Sequence, residues 1–139
     1  MVNKNLLTLL LLIISLLSCD YQVKEYYIIE NKSRFDIKVA FVERNGNDKK
    51  DTINEIVKTN ATKSFYVKNS NTGIRKSKGE NYLDVFDSLW ISINDSLLLK
   101  KEINNLGYWD YWHNGKKEYV SKFTFSINDS DIQIIQAIR

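Results

Sequence analysis

The sequence predicts an all-β fold, with antiparallel layers packed face to face, and three observations predict it. Apolar side chains recur at every second position over short stretches, the period at which one face of a strand is buried. Turn-forming pairs such as Asn45-Gly46, Asn94-Asp95 and Asn114-Gly115 separate those stretches. No long amphipathic helix and no alternation of strand with helix competes with this pattern. A composition that is 43% hydrophobic and 12% aromatic supplies the apolar surface for a packed core and argues against disorder.

The elements follow in order. "YYIIENKSRFDIKVAFVE" places Tyr26 and Ile28, then, after a turn at Asn31 to Ser33, Phe35, Ile37, Val39 and Phe41 on one face, with Asp36, Lys38 and Ala40 opposite. Thr52 to Lys58 reads as a second strand, showing Ile53 and Val57 with Ile56 between them. Ala61 to Lys68 reads as a third, with Phe65 and Val67 opposed by Tyr66. The stretch 68–81, "KNSNTGIRKSKGEN", breaks the pattern and reads as a long basic loop. Loops of that length in compact domains are either functional or simply solvated, so Arg75, Lys76 and Lys78 are candidates for partner contact.

"DSLWISINDSLLLKKEI" reads as a hairpin: Leu89, Ile91 and Ile93 alternate with Trp90 and Ser92, Asn94-Asp95 turns, and Leu97 and Leu99 return. "GYWDYWHNGKKEYVSKFTFSIND" reads as another, turning at Asn114-Gly115, with Tyr119, Ser121, Phe123 and Phe125 on one face of the return strand. The pentapeptide Ser92 to Ser96 recurs as Ser126 to Ser130, an echo of turn chemistry, since Asn, Asp and Ser side chains bond to nearby backbone. In the last residues, Ile132, Ile135 and Ile138 stand three apart behind a cap at Ser130 or Asp131. That spacing narrowly favours a short C-terminal helix over an edge strand. Some seven short strands with turns at intervals of about ten residues describe an antiparallel β-sandwich, immunoglobulin-like or a partly open barrel.

The N-terminus carries different information. Behind the single cation Lys4, the chain runs uncharged through Leu6, Leu7, Leu9 to Ile14, Leu16 and Leu17, and ends at Ser18 before the only cysteine, Cys19. This run has the length of a signal-peptide core, whereas a helix needs about 20 apolar residues to cross a bilayer. Leu16-Leu17-Ser18-Cys19 resembles the lipobox of bacterial lipoproteins. The resemblance implies that residues 1–18 are a signal peptide cut before Cys19, whose sulfur takes a diacylglyceryl group and whose new amine is acylated. Two or more acyl chains are what stable anchoring needs. A lone cysteine leaves no intrachain disulfide and no cysteine-based metal site. Residues 19–25 then form a lipidated tether and 26–139 one domain. The mature chain of 121 residues (139 − 18) has a formal charge of +2, one less than the +3 of the whole.

With the lipobox, "YYIIENKS", "DSLWISIND" and "FTFSINDSDI" give the chain a layout that resembles the small β-rich lipoproteins of Bacteroidota-type bacteria. That resemblance implies attachment to the outer membrane, on its periplasmic or its surface side, and brings no catalytic residue with it. Asp51-Thr52-Ile53, Asp87-Ser88-Leu89 and Asp95-Ser96-Leu97 resemble the O-glycosylation acceptor pattern of exported proteins in those bacteria, which makes Thr52, Ser88 and Ser96 candidate acceptors.

Catalysis needs a nucleophile or a metal and groups that tune it. The chain has one histidine, His113, and none of the common hydrolase, zinc or phosphate-loop signatures. The acidic clusters at 45–51 and 128–131 read as turns and caps, so no metal or cofactor is expected. With 20 basic and 17 acidic residues there is no field to draw nucleic acid. The stretch "GYWDYWHNG" stands out: Tyr108, Trp109, Tyr111, Trp112 and His113 offer flat contact area with polar handles, suited to an envelope protein or a glycan. In a strand, Tyr108, Asp110 and Trp112 face one way and Trp109, Tyr111 and His113 the other, so one set lies near the surface. The expectation is a lipid-anchored, non-catalytic binding or accessory module. The alternative is an immunity or inhibitor lipoprotein that blocks an envelope-acting toxin or hydrolase.

Overall fold

The computed structural model describes residues 23–44, 51–70, 81–94, 96–114 and 119–134. Among them the strands are β1 (Val23–Asn31), β2 (Ile37–Glu43), β3 (Thr52–Val57), β4 (Ala61–Ser70), β5 (Phe86–Ser92), β6 (Leu97–Leu99), β7 (Trp109–Asn114), β8 (Tyr119–Ile127) and β9 (Ile132–Ile134). One sheet has the order β4-β1-β8-β7 and a second the order β3-β2-β5, while β6 and β9 form a two-stranded ribbon. The first two sheets share one core, to which Tyr27, Ile29, Phe123 and Phe125 come from the first and Ile37, Val39, Phe41 and Phe86 from the second. The expected β-sandwich is therefore what forms, with no closed barrel.

Within it β1 and β8 run parallel, in register from Val23 opposite Tyr119 to Asn31 opposite Ile127, and the other ladders are antiparallel. A parallel pair needs a long crossover between its strands, and nearly the whole domain separates these two. Local patterning carries no trace of such a pairing.

β1 begins at Val23, inside the segment the sequence assigned to the tether, and Val23 and Glu25 are buried. The face that turns inward holds Val23, Tyr27, Ile29 and Asn31, so the expected inward set Tyr26 and Ile28 points outward instead. The run 26–29 is apolar on both parities, and Val23 at one end and Asn31 at the other decide between them. Asn31 is buried and joins the two sheets. Its Nδ2 donates to the carbonyls of Phe35 at 2.8 Å, Val57 at 3.1 Å and Lys58 at 3.0 Å, and its Oδ1 accepts from the Ser33 amide at 3.0 Å and hydroxyl at 2.7 Å. The chain passes from β3 in one sheet to β4 in the other through a tight turn with Asn60 at φ 53°, the left-handed region that Asn tolerates.

Tyr27 is the centre of the core. Its ring lies 5.0 Å from Phe123, 5.1 Å from Phe86 and 6.5 Å from both Phe65 and Trp109, and its hydroxyl donates to the Tyr82 carbonyl at 2.7 Å. The β1–β4 register skips at Tyr27/Ile28, leaving Phe65 as the extra residue of a bulge. A bulge re-aims a side chain, and here both Phe65 and its neighbour Tyr66 reach Phe41 and Tyr27. Val67, expected inward with Phe65, is consequently exposed.

Two expectations fail at the C-terminal side. β5 and β6 do not form a hairpin ladder. They share one bridge, Asn94 with Leu97, after which β6 pairs with β9. Among the described residues the expected C-terminal helix shows only one 3-10 turn, Asp129–Asp131, closed by reciprocal bonds between Asn128 and Asp131. Ile132–Ile134 then continue as strand β9, because pairing with Leu97–Leu99 satisfies backbone groups that a short helix would leave open. Residues 135–139 lie outside the described residues.

Candidate functional site

The aromatic stretch divides as strand alternation requires. Trp109 enters the core, where its Nε1 donates to the Ile103 carbonyl at 2.7 Å, and Tyr111 packs half-buried against Phe123 at 5.3 Å. His113 is exposed, its ring stacked on Tyr111 at 5.4 Å. On the other face Trp112 is 52% and Tyr108 43% exposed. Of the two tryptophans that could be surface groups, Trp112 is the one.

The register carries Trp112 into a row that crosses the whole four-stranded sheet: Val67 in β4, Tyr26 in β1, Lys122 in β8, Trp112 in β7. Lys122 Nζ stands 5.0 Å from the centre of the Trp112 ring, a cation–π contact that holds both side chains outward together. The neighbouring outward row holds Asn69, Lys24, Val120 and Asn114. Among the described residues the two rows contain two cations and no acid. Asp110 and Glu30 come only further along the sheet, and Glu30 is held below the usual carboxylate range by the Ser126 hydroxyl and Lys32.

On the inner face, one row from Trp112, stand Lys68, Glu25, Ser121 and His113. Ser121 Oγ is buried and has no hydrogen-bond partner among the described residues. The order along the row is acid, hydroxyl, imidazole. With strands about 4.8 Å apart, the acid lies two strand spacings from the imidazole, so this row does not place a carboxylate where it could orient His113 for catalysis. No group of three or more His, Cys, Asp or Glu that could hold a metal occurs among the described residues.

The second exposed surface was not anticipated, because the sequence reading closed β5 and β6 into a hairpin. Their divergence opens a groove of about 440 Å³ lined by Leu89, Ile91, Ile93, Leu97, Leu99 and Ile103, with Trp90 and Leu98 at its rim. Trp90 is 41% and Leu98 53% exposed. β5 is the outermost strand of its sheet, and the Leu89 carbonyl accepts from Asn104 Nδ2 at 3.2 Å. A strand residue points its N–H and C=O to the same side, so Leu89 and Ile91 present backbone groups away from β2, towards the groove. A signal was available in the sequence: Leu97-Leu98-Leu99 is apolar on both parities, which a one-sided hairpin does not need.

A polar cleft of about 570 Å³ lies between Glu43, Arg44, Lys68 and Asp84, where the Tyr66 hydroxyl donates to Glu43. Of the candidate glycosylation positions, Thr52 is exposed in β3, Ser88 is half-buried in β5, and both pair with Val42 of β2. Ser96 is exposed at the turn, its amide bonded to Asn94 Oδ1 at 3.0 Å. Arg75, Lys76, Lys78 and Cys19 lie outside the described residues. Comparison with protein-family models, curated proteins and solved structures returns no match to this chain.

Proposed function

We propose that this protein is a lipid-anchored lipoprotein of the bacterial cell envelope, attached to the outer membrane through Cys19, and that it acts as a non-catalytic binding module. The observation that carries the binding role is the apolar groove along the edge of β5, the outermost strand of its sheet among the described residues. An extended segment of a protein partner can lie along that edge with its alternate side chains entering the groove. Exposed apolar surface beside a groove marks contact sites, and Trp90 and Leu98 supply it here. The same edge supports the second reading, an immunity or inhibitor lipoprotein, in which that partner is an envelope-acting toxin or hydrolase.

The test is a pull-down of the tagged full-length protein from its own envelope, beside a Leu98→Asp variant. Leu98 is exposed, so the substitution should change stability by no more than about 0.5 kcal/mol while placing a charge in the groove. The expected result is one stoichiometric protein partner, lost with Leu98→Asp. Retention of the partner by that variant sinks the groove assignment, and the partner's identity separates accessory module from inhibitor.

A further inference from the structure

The row through Trp112 has a different setting from the groove, fixed by where the chain enters the fold. Cys19 and Val23 are separated by Asp20, Tyr21 and Gln22, and four residue steps span at most about 14 Å. If Cys19 carries lipid, the bilayer interface lies within that distance of the start of β1. Tyr26 lies three residues along β1 from Val23, about 10 Å at 3.3 Å per residue, and Lys122 and Trp112 stand in the same outward row one and two strands across, which puts Trp112 about 14 Å from Val23. They are within the reach of the tether.

We propose that this end of the four-stranded sheet rests on an anionic lipid surface, with Trp112 and Tyr26 seated at the headgroup level and Lys24 and Lys122 paired with lipid phosphates. The proposal rests on the lipid-anchor reading of Cys19 and names what the sheet face nearest that anchor touches.

Three properties fit this occupant. The rows cross four strands as one outward face, with the polar cleft at Val67 and Asn69 confined to its β4 edge, and such an extended face suits a planar partner. Trp and Tyr concentrate at membrane interfaces because an apolar ring with a polar tip matches that layer. Lysines bury their stems along apolar surface and extend the ammonium to the headgroups, gaining about fivefold in membrane binding for each one near an anionic surface. The charges agree, since the two outward rows nearest the tether hold Lys24 and Lys122 and no acid among the described residues. Docking here would fix the orientation of the domain, leaving β5 and its groove on the other sheet free for a partner.

The test uses the mature full chain extracted from its envelope, its lipid content read by mass spectrometry. It is then reconstituted in vesicles of brominated phosphatidylcholine with and without phosphatidylglycerol, where bromine quenches nearby tryptophan emission. The expected result is quenching that is stronger with phosphatidylglycerol, falls to background in Trp112→Ala, and is unchanged in Trp90→Ala. In Lys24→Glu/Lys122→Glu the difference between the two vesicle types should disappear. Lipid-bearing protein with no quenching, or with quenching equal in wild type and Trp112→Ala, overturns the docking face and leaves the anchor standing. Protein without lipid on Cys19 overturns the anchor and the docking face together.

Discussion

Trp112 and Trp90 stand on the outer faces of the two different sheets with similar exposure, 52% and 41%, yet their surroundings are unlike. Trp112 lies in an open row with a lysine over its ring, at the end where the chain enters the fold. Trp90 sits beside Ala40, which is 2% exposed, at the rim of an apolar groove that runs along the outermost strand of its sheet. The comparison teaches that a sandwich core needs only the inner faces. Large apolar side chains on the outer faces are then sorted by what lies next to them: neighbouring cations suit a lipid surface, an apolar groove suits a peptide.

The largest expected effect tests the premise that the outer tryptophans are not structural. Trp109→Ala should cost about 3–5 kcal/mol, the usual range for emptying a buried Trp or Phe site, because it leaves a cavity beside Tyr27 and Phe125 and an unpaired Ile103 carbonyl. Trp112→Ala should cost at most about 1 kcal/mol, mostly its contact with Lys122. Chemical denaturation of the two variants checks this. Equal losses would make Trp112 a packing residue and end the contrast between the outer and inner tryptophans.

Next in size is the tie that keeps the two faces in fixed relation. Asn31→Ala removes bonds to the Val57 and Lys58 carbonyls at the end of β3 in the other sheet and to Phe35 and Ser33 in the turn that follows β1, leaving several buried groups without partners. At about 1–3 kcal/mol for an orphaned polar group, partly relieved by relaxation, the expected loss is about 2–3 kcal/mol. Amide exchange should show β3 and the turn 33–36 losing protection before β8. Uniform loss of protection across all strands would mean that Asn31 stabilises the fold without joining its sheets.

Much of this was legible in the sequence, and the misses share a cause. Ile37 and Val39 flank Lys38, and Phe123 and Phe125 alternate with Lys122, Thr124 and Ser126, so their inward direction could be read at once. Where apolar residues run consecutively, as at Tyr26 to Ile29 or Leu97 to Leu99, period-two reasoning has no parity to use and distant partners decide. The parallel pairing of β1 with β8 and the departure of β6 to β9 are contacts between remote segments. Alternation required one of the two aromatic sets to lie near the surface without saying which, and the packing of Trp109 decides it, whereas for the groove the sequence offers only the two-sided apolar run Leu97 to Leu99.

The smallest effect is confined to alkaline pH and separates interior from outer aromatics by titration. Burial first, then the nearby acids Glu25 and Asp84, pushes Tyr27 upward, and burial with the bond to Glu43 does the same for Tyr66. Tyr82 is pushed up to about 12 by burial and by Asp110. In the unfolded chain these phenols ionise near the ordinary value of 10.0, whereas the fold holds them protonated above it. Unfolding therefore releases protons between those values, so their contribution is complete below pH 10 and is lost as pH rises through the folded values. The melting temperature should be flat up to about pH 10, as far as these tyrosines decide it, and fall above. Tyr82→Phe keeps the ring that stacks on Phe123 at 4.3 Å and loses the bond to the Leu106 carbonyl, so it should lower stability slightly at neutral pH and flatten the alkaline decline. Phenolate absorbance of the folded protein checks the assignment directly: if Tyr27, Tyr66 and Tyr82 ionise near 10, they are not shielded, and the inner aromatic cluster loses its electrostatic support.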